Sequence, residues 1–106
     1  MKREEIEKMP AGNKMDTLIE LDVFGWPKAY DDALDVPKYS TEISVAWQVV
    51  EKMKADGFPL RMNIDAETAG YPGNNGVVWC AFKYSAFGNT APLAICRAAL
   101  MTTADE

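Results

Sequence analysis

Only two segments of this 106-residue chain have the pattern of a β-strand, and this limits the folds open to it. In residues 58–64 apolar and polar side chains alternate, which is typical of a strand with one buried face. Residues 77–84 are apolar on both sides, so this strand is predicted to be the more central one. Because two strands alone are marginally stable, either helices cover both faces of the hairpin, or a third strand lies in the loops or in a second copy of the chain.

Two helices are predicted before the first long loop. A short one spans residues 2–9, and a longer one spans about residues 14–24. Asn13 is a favourable N-cap for the longer helix, and Gly25 suits the left-handed conformation that ends a helix. Residues 27–39 have little periodicity and are predicted to form a surface connection.

The third and fourth predicted helices flank the strands. Ser40 is predicted as the N-cap of the third helix and Gly57 as its end. An apolar stripe at helical spacing is predicted to face the core, with Trp47 as a core residue: Ile43, Ala46, Trp47, Val50 and Met53. Thr90 and Pro92 mark the start of the last helix. One face of that helix comprises Leu93, Cys96, Arg97 and Leu100.

These elements predict one domain over residues 1–106, of the α/β (α+β) class: a small α-β-α sandwich in which helices cover an antiparallel hairpin. Cys80 and Cys96 each lie in an apolar run and are interpreted as small buried side chains. The first residues carry charges with no apolar stretch of a signal peptide, and no 18-residue apolar segment occurs. We therefore expect a cytoplasmic protein that does not contact a membrane.

The charge and the missing histidine exclude several classes of function. Eleven Lys and Arg against sixteen Asp and Glu give a net charge of -5, the wrong sign for a protein that binds duplex nucleic acid. The chain has no histidine, the commonest general base and zinc ligand. Asp31, Asp32 and Asp35 lack the spacing of a calcium loop. We expect no enzyme activity, no metal and no cofactor.

A small set of basic and aromatic residues forms the candidate ligand site. An uncapped helix start at Thr90 with Arg97 nearby would bind a phosphate or carboxylate, whereas a capped start would leave Arg97 solvated or salt-bridged. Arg61 and Lys83 project from neighbouring strands and form a basic pair if they share a face. The aromatic residues proposed to stack on a ligand are Trp26, Tyr71 and Tyr84.

Three short motifs occur in order along the chain: Gly25-Trp26, Tyr39-Ser40-Thr41 and Thr90-Ala91-Pro92-Leu93-Ala94. With the segments around them, they resemble the phage ABA sandwich domain family over nearly the whole chain. That family consists of small phage and prophage proteins with an α/β sandwich fold. The resemblance implies a virus-encoded accessory protein made in a bacterial cytoplasm. It implies no catalytic residues and names no ligand.

Two functions from different classes follow as hypotheses. The leading one is a non-catalytic phage protein that sequesters a small anionic or nucleotide-like ligand, in counter-defence against bacterial immune signalling. The alternative is an interaction module that binds a host or phage protein through an acidic face or a strand edge. The first needs a concave, positive, aromatic-lined pocket, and the second needs a flat patch or an open edge. A homo-oligomer is also expected, because strand pairing between chains would complete a small sheet.

Overall fold

A computed structural model of the chain describes residues 2–25, 36–63 and 78–104. Its elements follow one another in this order: helix α1 (Arg3–Lys8), helix α2 (Asn13–Leu18) continued by a π-helical turn (Ile19–Val23), helix α3 (Ile43–Ala55), strands β1 (Arg61–Asn63), β2 (Val78–Ala81) and β3 (Ser85–Gly88), and helix α4 (Ala91–Met101). No helix within these described residues is long and apolar enough to cross a membrane.

The described strands form one antiparallel sheet in the order β1-β2-β3. The prediction that the second strand is central is confirmed, because β2 pairs with both neighbours. The predicted strand over residues 77–84 was too long, since the chain turns at residues 82–84 and returns as β3. The third strand that the sequence left open therefore lies within the chain. Its short Ser-Ala-Phe-Gly sequence gave no strand signal of its own.

The first predicted strand is shorter than expected but has the predicted alternation. Its regular part is β1, and residues beyond Asn63 in the predicted strand lie outside the described residues. Phe58 and Leu60 are half-buried, while Pro59 and Arg61 are exposed. One side of this segment thus faces the core, as the period-2 pattern predicts.

The small α+β sandwich is confirmed, with α4 between the sheet and the other described helices. This helix contacts β2 and β3 on one side, and α3, the π-helical turn and α1 on the others. Accordingly its buried residues lie all around its axis: Pro92, Leu93, Ala94, Ile95, Cys96, Ala98, Ala99, Leu100 and Met101. A helix that is apolar all round is stable only when other elements enclose it. The predicted face of α4 was therefore only part of its buried surface.

The second predicted helix is correct in extent but not in its capping. Gly12, at φ 147°, is the N-cap of α2, and Asn13 is the first helical residue instead of the predicted cap. The last turn widens into the π-helical turn at residues 19–23. Gly25 follows at φ 74°, so the prediction that it adopts the left-handed conformation is confirmed.

Two predictions about α3 are wrong. Glu42, not Ser40, is its N-cap, and Trp47 is 47% exposed instead of buried in the core. The stripe that faces the core is rotated by about 45° from the predicted one, since Val49 takes the place of Ile43 and Trp47: Ala46, Val49, Val50 and Met53. Ile43 and Trp47 lie outside it and are exposed. Gly57, at φ 95°, follows the end of α3 as predicted.

Cys80 and Cys96 are free, fully buried thiols, as predicted. Burial raises the pKa of Cys80 to about 12, and burial together with the charge of Asp16 raises the pKa of Cys96 further. The pKa of Tyr39 is also raised. Burial is the largest cause, and the hydrogen bond to Glu20 is the next. All three groups are protonated in the folded state at a pH where the unfolded chain starts to ionise.

We expect the protein to lose stability in alkaline solution. Thiol and phenol groups in an unfolded chain ionise near pH ~8.5 and ~10. The three protonated groups therefore contribute fully to the stability of the folded state below that range. Their contribution falls as the pH rises through it towards 12. Thermal unfolding followed from pH 8 upward measures the decline, and Cys80→Ala is expected to make it shallower. A flat profile in both proteins would contradict this account.

Gly88 permits the close approach of β3 to α4. A Cβ atom at this position would lie 2.8 Å from the Ala94 nitrogen and 3.1 Å from Leu93 Cγ. Backbone of a central helix has little room to shift, so a side chain at residue 88 would separate the sheet from α4.

Gly88→Ala is expected to destabilise the protein by about 1–3 kcal/mol, as overpacking of a close contact does. The exposed Ser85 in the same strand offers the matched control, since Ser85→Ala adds no atoms to the core. Chemical denaturation of the two variants provides the comparison. Equal stability would show that β3 shifts without cost.

Candidate functional site

Arg97 joins α1 to the edge of the sheet. Its Nε and Nη2 donate to the carbonyl oxygen of Met9 at 3.2 and 2.8 Å, and its Nη1 donates to the carbonyl oxygen of Phe87 at 2.8 Å. Met9 is the C-cap of α1, where carbonyls lack helical partners and a cation is favourable. The capped alternative predicted that Arg97 would be solvated or salt-bridged. Its hydrogen-bond partners are instead two backbone carbonyls.

Two clefts in the described part of the protein share Arg97. One, of about 330 Å³, is lined by Glu7, Ser85, Ala86, Phe87 and Arg97. The other, of about 440 Å³, is lined by Pro10, Ala11, Asn89, Leu93 and Arg97. Both volumes lie in the range of small-molecule sites. Three of the five guanidinium N–H groups are used by the two carbonyls, and the remaining two have no partner among the described residues.

Opposite charges meet in the first cleft. Partial burial lowers the pKa of Arg97, while the carboxylate of Glu7 acts in the opposite direction, and the guanidinium stays charged. Ser85 adds an exposed hydroxyl, and Phe87 is half-buried. The cleft therefore offers a cation for an anionic group and oxygen acceptors for hydroxyl donors.

Two cations lie close to the ring of Tyr84. The guanidinium carbon of Arg3 lies 3.8 Å from the centre of the Tyr84 ring, and Lys83 Nζ lies 5.5 Å from it. Arg3 Nε is buried and has no hydrogen-bond partner within the described residues, so the ring is its main contact. The predicted residues Lys83 and Tyr84 thus come together, but Arg3 already occupies part of the ring surface proposed for stacking.

Thr90 has a structural role at the start of α4. The Leu93 N–H donates to Thr90 Oγ1 at 3.4 Å, and Pro92 lies in the first turn. The alternative of an uncapped anion-binding helix start is therefore wrong, and the capped alternative holds.

Arg61 lies apart from the clefts. In the sheet register it is opposite Ala81, which is opposite Ser85, so it stands on the far edge of the sheet from β3. It is exposed at the same end of the sheet as Lys83, but the structure does not bring it to Arg97. Trp26 and Tyr71 lie outside the described residues, and so do Asp31, Asp32 and Asp35. The described residues contain no cluster of metal-ligating side chains.

Sequence reasoning missed a buried polar cluster of Gly12, Asp16 and Ser40. Asp16 Oδ1 accepts from the Ser40 hydroxyl at 2.7 Å and from the Ser40 N–H at 2.8 Å. The Gly12 N–H in turn donates to Ser40 Oγ at 2.9 Å. Asp16 is 2% exposed and Ser40 is fully buried, so neither reaches a substrate. An aspartate at an apolar position of α2 was the available signal.

The neighbouring Tyr39 is also a structural residue. Its ring stacks on Phe24 with centroids 5.3 Å apart, and its hydroxyl donates to Glu20. With Ser40, it fixes the segment before α3 against α2 and the π-helical turn. The Tyr39-Ser40-Thr41 motif thus stabilises the fold.

The sequence profile of the phage ABA sandwich domain matches residues 14–100. The chain belongs to this family. A 2.0 Å crystal structure of a phage protein from Bacillus cereus ATCC 14579 is similar to it, with 26% identity and a TM-score of 0.64. The similarity covers 90% of this chain and 94% of that one. No protein with a curated description matches. This phage ABA sandwich protein therefore shares its architecture with another phage protein over nearly its full length.

Arg97→Ala is expected to lower the stability of the domain by about 1.5–3 kcal/mol, because carbonyls of Met9 and Phe87 lose a charged donor. Arg97→Lys restores a charge but not the planar fork, so we expect an intermediate stability. Denaturant unfolding of the wild type and the two variants measures the order of their stabilities. Wild-type stability of Arg97→Ala would show that α1 is held without this residue.

Proposed function

We propose that this phage ABA sandwich protein is a non-catalytic accessory protein that holds a small anionic or nucleotide-like ligand in the clefts beside Arg97. The observation that carries the proposal is a guanidinium with two uncommitted N–H groups between two clefts of small-molecule size. The backbone contacts hold this guanidinium in place, so a ligand would meet a preorganised donor.

The composition of the first cleft favours a ligand that carries both a phosphate and hydroxyl groups. Arg97 would donate to the phosphate, while Glu7 and Ser85 would bind hydroxyl groups. The half-buried Phe87 would supply apolar contact. Because the chain has a net charge of -5, a phosphate would be held by local donors and not by a long-range field.

The side chains present favour binding of a ligand without chemical conversion. The chain has no histidine, Ser40 is buried against Asp16, and both thiols are buried and protonated. Membership of a phage family supports a role in infection. We propose counter-defence as that role: the protein would withhold a nucleotide signal from the bacterial host in which it is made.

Titration calorimetry against a panel of cyclic dinucleotides and ADP-ribose derivatives tests the proposal. The wild-type protein is expected to bind at least one member. Arg97→Lys is expected to weaken that binding by about tenfold or more, since a bidentate charged contact is lost. Glu7→Gln and Ser85→Ala change exposed cleft residues and report on hydroxyl recognition.

Arg61→Ala is the matched control, because it removes an exposed arginine from the far edge of the same sheet. Its affinity should equal that of the wild type. If the wild type binds no panel member and instead retains a defined host protein, the alternative of an interaction module replaces ligand capture. A substrate altered during incubation would make the protein an enzyme.

A further inference from the structure

A pair of cations, Arg3 and Lys83, lies beyond one end of the first cleft. Arg3 is one helical turn before Glu7 on the same face of α1, and its guanidinium contacts the ring of Tyr84. Tyr84 directly precedes β3, and Lys83 lies beside the same ring. Because Glu7 and β3 are also walls of the first cleft, an α1–β3 groove leads from Arg97 to this cation pair.

The described residues provide no anionic partner for the cation pair. Within this part of the chain neither Arg3 nor Lys83 forms a salt bridge, and the buried Nε of Arg3 has no hydrogen-bond acceptor. Arg3 is half-buried and Lys83 is exposed, so both are accessible to a ligand. Two like charges held beside one ring repel each other, and a bound anion would relieve that repulsion.

Arg97 and the cation pair are about 10 Å apart along the groove. Arg3 and Met9, whose carbonyl binds Arg97, are separated by about 9 Å along the axis of α1. Tyr84 and Phe87, whose carbonyl also binds Arg97, are separated by about 10 Å along β3. The two estimates agree because α1 and β3 run side by side in the same direction.

We propose that the ligand carries two phosphate groups, one bound by Arg97 and the other by Arg3 and Lys83, with one ribose between them. This inference rests on the proposed function, since it takes Arg97 as the first phosphate site. Each phosphate lies at hydrogen-bond distance from its cation, so the two phosphates are closer together than the cations. A single ribose that is phosphorylated on both sides is long enough to join them.

The charges along the groove favour phosphodiesters. Its three cations and the carboxylate of Glu7 give a net charge of +2, which two singly charged phosphodiesters neutralise. A terminal phosphate carries nearly two charges at pH 7 and would exceed this. The other carboxylates of α1 do not alter the balance: Glu4 is about 100° round the axis, on the face that it shares with Lys8, and the Glu5 carboxylate accepts the Lys2 N–H.

Glu7 lies between the two phosphate positions, where such a ligand has a free hydroxyl. When the 3′ and 5′ oxygens of a ribose are both in phosphodiesters, its 2′-hydroxyl remains as a hydrogen-bond donor. The Glu7 carboxylate, one helical turn from Arg3 and in the same cleft as Arg97, is its acceptor. The ligand class is therefore a ribonucleotide with a phosphodiester on each side, as in a cyclic dinucleotide or a short linear oligoribonucleotide.

Titration calorimetry with ligands that differ by one phosphodiester tests this inference. Linear ApApA and cyclic di-AMP each contain two phosphodiesters, whereas ApA contains one. The wild type is expected to bind at least one of the first two about tenfold or more tightly than ApA, because a second charged contact forms. Which of the two it prefers identifies the ligand as linear or cyclic.

Removal of one charge from the cation pair tests the second phosphate position. Lys83→Gln and Arg3→Gln should each weaken binding of the two-phosphodiester ligand about tenfold and leave the affinity for ApA unchanged, since its one phosphate binds at Arg97. Arg3 also packs on Tyr84, whereas Lys83 is exposed, so Lys83→Gln tests the charge with less effect on packing. Lys54→Gln, an equal charge change at an exposed position of α3, is the matched control and should bind as the wild type does.

The 2′-deoxy form of the same ligand tests the role of Glu7. It is expected to bind the wild type about tenfold more weakly than the ribose form, and Glu7→Gln should reduce this difference because a neutral amide is a weaker acceptor than a carboxylate. If Glu7 only repelled the phosphates, Glu7→Gln would strengthen binding of both forms equally. That result would overturn the assignment of Glu7 to the hydroxyl.

Three outcomes decide the proposal as a whole. Equal affinities for ApA and the two-phosphodiester ligands, with Arg97→Lys weakening both, would overturn this inference and leave ligand capture at Arg97 intact. So would a preference for two phosphodiesters that Lys83→Gln and Arg3→Gln leave unchanged. Absence of binding by ApA and every other nucleotide tested would overturn the proposed function and this inference together.

Discussion

The enclosure of α4 is the constraint on which the rest of the structure depends. This helix has the sheet on one side and α3, the π-helical turn and α1 on the others, so each layer is positioned by contact with it. The small residues Ala94, Ala98 and Ala99 are fully buried and allow neighbours to come close. Gly88 extends the same principle to the sheet, because even one Cβ atom would collide with the α4 backbone. A small domain thereby buries a large share of its apolar surface around a single helix.

Arg97 is the residue of α4 that combines an observed structural contact with the proposed binding role. Most of the helix is buried, yet Arg97 extends to the surface and binds the backbone of α1 and β3. The same contacts include one carbonyl of β3 and leave the guanidinium between two clefts. A partly buried cation needs hydrogen-bond acceptors, and here carbonyl oxygens serve that purpose. Its position is set by the fold, and this is the condition for a preorganised ligand contact.

The motifs that identify the family are explained mainly by packing. Thr90 caps α4, Ser40 joins α2 to the segment before α3 through Asp16, and Tyr39 stacks on Phe24. Each satisfies a polar group or closes a loop at a point where the chain changes direction. Trp47, which is exposed on α3, and Arg97, which lines both clefts, lie outside these motifs. The family likeness is therefore stronger evidence for the architecture than for the ligand.

The sequence by itself determined the number and order of the described helices, the central position of β2, and the burial of Cys80 and Cys96. It also determined the left-handed conformation of Gly25. Periodicity, capping and backbone freedom are local properties, so a sequence pattern records them. The sequence did not determine the third strand, whose four residues have no period of their own, nor which face of α3 is buried. Trp47 fits an apolar stripe, but the residues of α3 that pack into the core include Val49 and leave Trp47 exposed. Likewise, only tertiary structure brings Arg97 to the carbonyls of Met9 and Phe87, one of them 88 residues away. Contacts between distant segments depend on how layers pack, and no local pattern records that packing.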